Sequence, residues 1–202
     1  MKLHIRALLF STLLLAGVVS AEIPEYPLVR VDTSAGSFTL ELDRDRAPLS
    51  VSNFLQYVDN GHYADTIFHR VIGSFVAQGG GYTVVLGEDG ARTINKKEAG
   101  ETIPNESGNG LSNRRGTVAM ARTGDPHSAD AQFYINLADN LSLDPKPTRW
   151  GYTVFGKVVE GMDIIDDIGH SATGPGGTFT NDVPVEDIVI DKMTLLGAED
   201  AG

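Results

Sequence analysis

Alternating apolar and polar positions recur along the chain and predict mainly β structure. In LVRVDTSAGSFTLEL, Phe38, Leu40 and Leu42 alternate with polar neighbours, and Ser34–Gly36 supplies a turn. This pattern predicts two strands joined by a turn, because successive side chains of a strand point to opposite faces. Further strands are predicted in FHRVIGSFVAQGGG, GTVAMAR, QFYINLA, YTVFGKVV and VEDIVIDKMTLL.

Two segments instead have the spacing of amphipathic helices. In APLSVSNFLQYVDNGHY, apolar residues recur at helical spacing from Val51 to Val58, Pro48 suits the first turn, and Gly61 fits the C-terminal cap. The second segment is EGMDIIDDIGH, whose predicted apolar face holds Met162, Ile165 and Ile168. Two helices among many strands, without βαβ alternation, favour an antiparallel sheet closed into a barrel.

Two stretches lack a clear period. Residues Gly87–Arg115 are polar, charged and rich in glycine, which predicts a long connection packed on the body of the protein. The stretch SATGPGGTFTNDVP is expected to be a Gly/Pro-rich segment that precedes the last strand. Strand-like segments resume after each stretch, so we expect one domain over residues 22–202.

The N-terminal segment MKLHIRALLFSTLLLAGVVSA has the pattern of a cleavable secretory signal. Lys2 and Arg6 precede an apolar run of about a dozen residues, and small residues end at Ala21. Such a run is too short to span a bilayer, which needs about 20 residues. We therefore expect residues 1–21 to be removed and the protein to be periplasmic or secreted.

Composition narrows the classes of function. The chain contains no cysteine, which excludes thiol catalysis, disulfides and thiolate metal sites. Its formal net charge is −11, and such a surface disfavours binding to nucleic acid or to anionic membranes. The histidines and acidic residues show no metal-ligand spacing, so we expect no metal and no cofactor.

The segment QFYINLA predicts a strand with two different faces. Gln132, Tyr134 and Asn136 share one face, which mixes polar and aromatic groups as a wet binding groove would. The other face is apolar and is expected to join the core; it holds Phe133, Ile135 and Leu137.

Four segments together resemble the cyclophilin family of peptidyl-prolyl cis-trans isomerases. FHRVIGSFVAQGGG is similar to the family signature, and MARTGDPHSADAQFYINLADN is similar to its second block. YTVFGKVVEGMDIID resembles the third block, and the APLSVSNFLQYVDNGHY helix resembles the early family pattern. The blocks follow the family's order over nearly the whole mature chain, and the likeness is greatest to the exported bacterial branch.

The resemblance implies a fold and an activity. The fold would be a closed antiparallel eight-stranded β-barrel capped by two α-helices. The activity would be rotation about X–Pro peptide bonds during the folding of exported proteins. The expected partners are extended or unfolded polypeptides that contain proline, and the expected oligomeric state is a monomer.

The resemblance also implies the site residues. The catalytic residues would be Arg70, Gln78 and Phe75. The residues that bind the substrate would be Val76, Ala121, Arg122, Gln132, Tyr134, Leu143 and Tyr152. Within this set, Gln78 and Gln132 would hold Arg70 and the peptide by hydrogen bonds, and the backbone at Ala121 and Arg122 would fix the substrate chain. Gly79–Gly81 would let neighbouring backbone pack closely or turn sharply.

An arginine suits this chemistry. Rotation about an X–Pro bond breaks amide resonance against a barrier of about 18–20 kcal/mol. The prolyl nitrogen gains a lone pair in the twisted transition state, so a donor aimed at this atom binds the twisted form best. Arginine keeps its proton at every working pH and has a fixed donor geometry.

Three positions depart from the family pattern. Many members have methionine where Val76 stands and asparagine where Arg122 stands. The loop position that often holds an aromatic residue, commonly tryptophan in the eukaryotic branch, aligns with Ser142. Since this residue contributes to binding of the cyclic peptide cyclosporin in the family, we expect weak cyclosporin binding here; Trp150 is a candidate partial replacement.

Two other classes of function are weighed against the isomerase. A peptide-binding chaperone or scaffold would keep the groove with little turnover, although the pair Arg70 and Gln78 favours the enzyme. A small-ligand barrel of the lipocalin type is disfavoured because bulky inward side chains should fill a barrel of this size.

Overall fold

The computed structural model describes residues 23–197, so the predicted signal segment 1–21 lies outside the described residues. The strands are β1 Leu28–Thr33, β2 Gly36–Leu42, β3 Thr66–Ile72, β4 Val76–Leu86, β5 Arg92–Lys96, β6 Thr117–Met120, β7 Phe133–Asn136, β8 Val154–Glu160, β9 Thr173–Gly176, β10 Phe179–Pro184 and β11 Val189–Leu195. The helices are α1 Pro48–Asp59 and α2 Met162–Gly169, and a short 3-10 helix covers Leu141–Leu143.

Eight strands form a closed antiparallel barrel, as predicted. Their order is β3-β11-β1-β2-β8-β6-β7-β4, and the additional pairing of β3 with β4 closes the ring. Strand β5 pairs with β4 outside the ring, while β9 and β10 form a separate two-stranded sheet. Closure leaves the eight ring strands without a free edge.

The barrel interior is a filled hydrophobic core. The strands contribute large apolar residues that are almost completely buried, among them Phe38, Leu40, Phe68, Phe133 and Phe155. These side chains and the inner faces of both helices belong to one cluster of contacting residues. The core therefore fills the barrel, as expected for eight strands.

Helix α1 follows its predicted pattern. It begins at Pro48, which the fixed φ of proline permits in a first turn, and ends before Gly61, whose φ of 66° glycine adopts without strain. The carboxylate of Glu106 accepts hydrogen bonds from the backbone N–H groups of Leu49 and Ser50. The predicted apolar face is buried; it comprises Val51, Phe54, Leu55 and Val58.

The two stretches without a clear period contain strands that the sequence did not predict. The connection Gly87–Arg115 contains strand β5, which pairs along the outer part of β4. The Gly/Pro-rich segment before β11 contains the hairpin β9–β10. In both places the strand is stabilised by packing against the barrel rather than by its own alternation, which is why the local pattern did not predict it.

These extra strands form a small second apolar layer outside the ring. Ile67 of β3, Ile94 of β5 and Val183 of β10 are buried together. Nearby, the ring of His69 packs against Tyr82 and Phe179, at centroid distances of 4.5 and 5.5 Å. The β9–β10 hairpin is thereby held against the strand that carries Arg70. Within residues 23–197, no helix is both long and apolar enough to cross a membrane.

Candidate active site

A β-bulge places Arg70 on the outer face of the barrel. Phe68 pairs with Gly79 and Arg70 pairs with Gln78, so β3 contributes one more residue than β4 between these pairs. Phe68 and Val71 both join the core although they are three positions apart. The bulge therefore explains why Arg70 is partly exposed although most residues of β3 are buried.

Arg70 lies at one end of a row of directly paired residues, one from each of five neighbouring strands. Arg70 pairs with Gln78, Gln78 with Tyr134, Tyr134 with Ala119, and Ala119 with Val154. Directly opposed residues share a face of the sheet. Because neighbouring strands lie about 4.8 Å apart, the backbones of Arg70 and Tyr134 are separated by about 10 Å.

The guanidinium of Arg70 has no carboxylate partner in the described part of the chain. None of the salt bridges or side-chain hydrogen bonds found over residues 23–197 involves it. Arg70 is partly exposed. All of its donors are therefore available to a ligand that lies on the row.

The predicted apolar residues come together on this row and next to it. A hydrophobic cluster separate from the barrel core has a buried part and a partly exposed part. Its buried members are Val76, Ala119, Ala121, Tyr134 and Val154, and its partly exposed members are Phe75, Leu111, Leu143 and Tyr152. The cluster thus unites six predicted site residues from the β3–β4 turn, β4, β7, the end of β6 and the loops before β8.

Tyr134 is the buried floor of this apolar cluster. Its hydroxyl donates a hydrogen bond of 2.7 Å to Oδ1 of Asn113, and its ring meets that of Tyr152 edge-on at 5.9 Å. Burial raises the pKa of Tyr134 well above its ordinary value of 10.0. The phenol therefore stays protonated and serves as a hydrogen-bond donor.

The two predicted glutamines bond to each other. Nε2 of Gln78 donates to Oε1 of Gln132 at 3.2 Å. The expected hydrogen bonds between these glutamine side chains and the Arg70 guanidinium are absent within residues 23–197. The pair forms a polar border along the row, between Arg70 and Tyr134.

Glycine at position 81 makes room for that border. A Cβ at Gly81 would lie 2.4 Å from Cγ of Gln132, so a larger residue would displace this side chain. Gly80 has a φ of 84°, and a Cβ there would lie 2.8 Å from Cε1 of Tyr63. The predicted close packing at Gly79–Gly81 is confirmed, although at Gly80 and Gly81 the close neighbours are side chains. The predicted alternative, a sharp turn, is wrong, because the run lies inside strand β4.

Arg122 contributes more than its backbone. Its guanidinium lies 4.3 Å from the centroid of the Tyr152 ring and donates to the carbonyls of Thr123, Trp150 and Gly151. The backbone N–H of Ala121 is used internally by the carbonyl of Gln132. The side chain of Arg122 therefore fastens the loop before β8 to the end of β6, a role that the sequence did not indicate.

The face prediction for β7 is confirmed in part. Phe133, Ile135 and Leu137 lie in the core as expected. Asn136 shares the outer face with Tyr134, but it is fully buried rather than part of an open groove. Asn113, for which the sequence predicted no role, is also fully buried and bonds to both residues. Its position in a polar, glycine-rich stretch gave no signal of burial.

The comparisons with known proteins agree with this geometry. A sequence model of the family described as cyclophilin type peptidyl-prolyl cis-trans isomerase/CLD matches residues 28–195. Peptidyl-prolyl cis-trans isomerase cyp18 of Streptomyces antibioticus is 48% identical over 172 residues, covering 84% of this chain and 98% of that protein. Peptidyl-prolyl cis-trans isomerase B of Escherichia coli is 46% identical over 171 residues, covering 83% of this chain and 99% of that protein.

A solved structure gives the same fold. The crystal structure of a cyclophilin type peptidyl-prolyl cis-trans isomerase from Cryptosporidium parvum matches with a TM-score of 0.66 at 24% identity, covering 85% of this chain and 98% of that one. The chain belongs to the cyclophilin-type family. It is a peptidyl-prolyl cis-trans isomerase, and cyclophilins act on proline-containing peptides.

Proposed function

We propose that the isomerase binds an extended X–Pro segment across the row from Arg70 to Tyr134, and that its clients are exported proteins. One observation carries the assignment of the site. Arg70 has no carboxylate partner in the described chain, and it lies on the same sheet face as the buried Tyr134, two strands away. This arrangement puts a partly exposed apolar surface and a hydrogen-bond donor on the same face of the sheet.

The apolar cluster would hold the proline ring. Phe75 and Leu143 are partly exposed and stand against the buried Tyr134 and Val76. A five-membered ring that binds there loses its contact with water and packs against carbon atoms. The favourable free energy is about 25 cal/mol per Å² of apolar surface that is buried. The pocket selects proline because it offers shape and apolar surface, and few groups that could bind other side chains.

Arg70 would stabilise the twisted amide. As the X–Pro bond rotates, the prolyl nitrogen loses its share of the double bond and becomes a hydrogen-bond acceptor. A donor that reaches this nitrogen binds the transition state more tightly than either planar state, which raises kcat. No nucleophile or proton transfer is required. Arg70 would act only as a hydrogen-bond donor held in the right position.

The polar border and nearby backbone would hold the peptide on either side. Gln78 and Gln132 would bind the peptide backbone, and the chain at Ala121 and Arg122 would align it next to the Tyr152 ring. These contacts bind the backbone of the peptide and not the side chains next to proline, so we expect the enzyme to accept many different sequences around the proline.

The proposal of exported clients depends on the sequence. Residues 1–21 have the pattern of a signal segment, and the chain has no cysteine that an oxidising compartment would pair. We propose a periplasmic or secreted monomer without nucleic-acid or membrane partners. Expression of the full chain in a Gram-negative host tests this: the mature protein should begin at Glu22 in the periplasmic fraction. An uncleaved protein in the cytoplasm would contradict the proposal.

Proline-limited refolding tests the active site. The wild-type protein should accelerate the slow phase of a client with a native cis-proline, and Arg70→Ala should lose most of this acceleration while still binding the unfolded client. Arg30→Ala, which changes an exposed arginine on β1, is the matched control and should keep the wild-type rate. Equal rates for wild type and Arg70→Ala would leave only a peptide-binding chaperone.

A further inference from the structure

Three buried asparagines lie behind the apolar cluster and connect its two walls. Asn113 and Asn136 are fully buried, and Asn140 is 8% exposed. We call Asn113, Asn136 and Asn140 the asparagine network. Buried amides are costly unless their donors and acceptors are satisfied, so a connected group of them fixes one geometry.

One end of the network holds the Phe75 wall. Nδ2 of Asn140 donates to the backbone carbonyl of Phe75 at 2.8 Å and to Oδ1 of Asn136 at 2.8 Å. The backbone N–H of Leu137 donates to the same Phe75 carbonyl at 2.8 Å. The β3–β4 turn that carries the Phe75 ring is thus tied to β7.

The other end holds the Tyr134 floor. Nδ2 of Asn136 donates to Oδ1 of Asn113 at 3.2 Å and to Oγ1 of Thr117 at 2.9 Å. The same Asn113 oxygen accepts the hydroxyl of Tyr134 at 2.7 Å. A continuous hydrogen-bonded path therefore runs from Phe75 to Tyr134.

Asn113 also fixes the second wall, which Leu143 forms. Its Nδ2 and its backbone N–H both donate to Oδ1 of Asp144, at 2.9 and 2.7 Å. Its backbone carbonyl accepts the N–H of Asn140 at 2.7 Å. Asp144 directly follows Leu143, the partly exposed member of the cluster on the 3-10 helix. Asn113 is the member of the network that contacts both the floor and this loop.

We propose that Asn113 is a positioning residue that sets the width of the proline pocket by holding Tyr134 and the Leu143 loop in fixed positions. The inference rests on the proposed function only in taking the apolar cluster as the proline pocket. Asn113 does not touch the substrate; it acts through the Tyr134 hydroxyl and the Asp144 carboxylate. The pocket binds planar and twisted proline alike, so losing its shape raises KM and leaves kcat largely unchanged.

The test compares Asn113→Ala, Tyr134→Phe and the double variant with wild type on an Ala-Pro tetrapeptide, after circular dichroism has shown that each is folded. Asn113→Ala removes several buried side-chain hydrogen bonds and should raise KM about tenfold. Tyr134→Phe removes one of them and should raise KM about threefold. The double variant should have no higher KM than Asn113→Ala, because both changes break the same hydrogen bond. Asn53→Ala, whose amide donates to the Asp130 carbonyl at 2.7 Å, is the matched control and should keep the wild-type KM.

Two results would overturn the proposal: an unchanged KM in Asn113→Ala, or KM effects that multiply in the double variant. If Asn113→Ala does not fold, the KM of Tyr134→Phe is the test of the proposal, and a wild-type KM in that variant rejects it. A wild-type protein without turnover would instead reject the proposed function. Arg70→Ala, expected to lower kcat rather than raise KM, separates the two kinds of failure within the same experiment.

Discussion

Arg70 and Gln78 face each other across the antiparallel pair β3–β4, directly after a bulge in which His69 is the additional residue. Because of the bulge, Arg70 lies on the outer face of the sheet and not in the core. Tyr134 lies on the same face, two strands away. The position of the proposed catalytic donor thus depends on a local irregularity of the strand. His69 and its aromatic neighbours lie next to this irregularity.

The stability of the protein should depend on pH through His69. Burial lowers the pKa of His69 from 6.5 to about 4. As the pH falls below 6.5, the unfolded chain takes up a proton that the folded chain does not bind until about pH 4. The free energy of unfolding should therefore fall by about 3 kcal/mol over this interval, at 1.36 kcal/mol per unit.

A non-titrating variant isolates this contribution. His69→Phe keeps an aromatic ring against Tyr82 and Phe179 and removes the buried Nδ1, which has no hydrogen-bond partner in the described chain. Urea unfolding of both proteins at pH 7, 5.5 and 4.5 should show the variant gaining stability relative to wild type as the pH falls. A difference that stays constant with pH would show that His69 is not the titrating group.

Gly81→Ala should impair substrate binding without strain in the backbone. The new Cβ would lie 2.4 Å from Cγ of Gln132 and would force that side chain away from Gln78. We expect KM for an Ala-Pro peptide to rise about fivefold, the scale of one hydrogen bond. Gly108→Ala is the control, since nothing lies within 4 Å of its added Cβ. Equal KM values for the two variants would reject the role of the glutamine pair.

Arg122→Ala should loosen the loop before β8. The variant loses the contact with the Tyr152 ring and three hydrogen bonds to carbonyls, including that of Trp150. Trp150 is the only tryptophan in the sequence, so its fluorescence reports this loop alone. We expect lower steady-state anisotropy of Trp150 and a several-fold higher KM. Wild-type anisotropy in the variant would mean that other contacts hold the loop.

Cyclosporin should bind weakly, and Ser142→Trp should strengthen the binding. Ser142 is exposed on the 3-10 helix beside Leu143, so an indole there would extend the apolar surface of the pocket. Burying an aromatic side chain contributes roughly 1.5–3 kcal/mol, which corresponds to at least tenfold in affinity. A calorimetric titration of both proteins measures this. Tight binding to the wild-type protein would contradict the assignment of Ser142.

The sequence predicted the barrel core well because alternation along one strand reports the buried face. Phe133 and Ile135 were found in this way, whereas the apolar face of α1 was found from helical spacing. The barrel was inferred from the presence of two helices among many strands without βαβ alternation. Strand β5 was missed because it is five residues long with a single buried side chain, Ile94. The hairpin β9–β10 was missed because its strands contain Gly and Pro and depend on contacts with the barrel.

The candidate site was less accessible to sequence reasoning. Phe75 and Tyr134 are far apart in the chain, and no local pattern shows that they contact one cluster; the family resemblance suggested it. The burial of Asn113 and Asn136 depends on partners from three separate segments. Composition alone would place both residues at the surface.

Steady-state kinetics of Arg70→Ala on an Ala-Pro tetrapeptide test the central claim most directly. The variant loses the donor to the prolyl nitrogen but keeps the apolar cluster, so kcat should fall about 100-fold or more, as for the loss of one transition-state donor. KM should stay within about threefold of the wild-type value, because the proline ring still binds. A wild-type kcat in a folded Arg70→Ala protein would contradict the account.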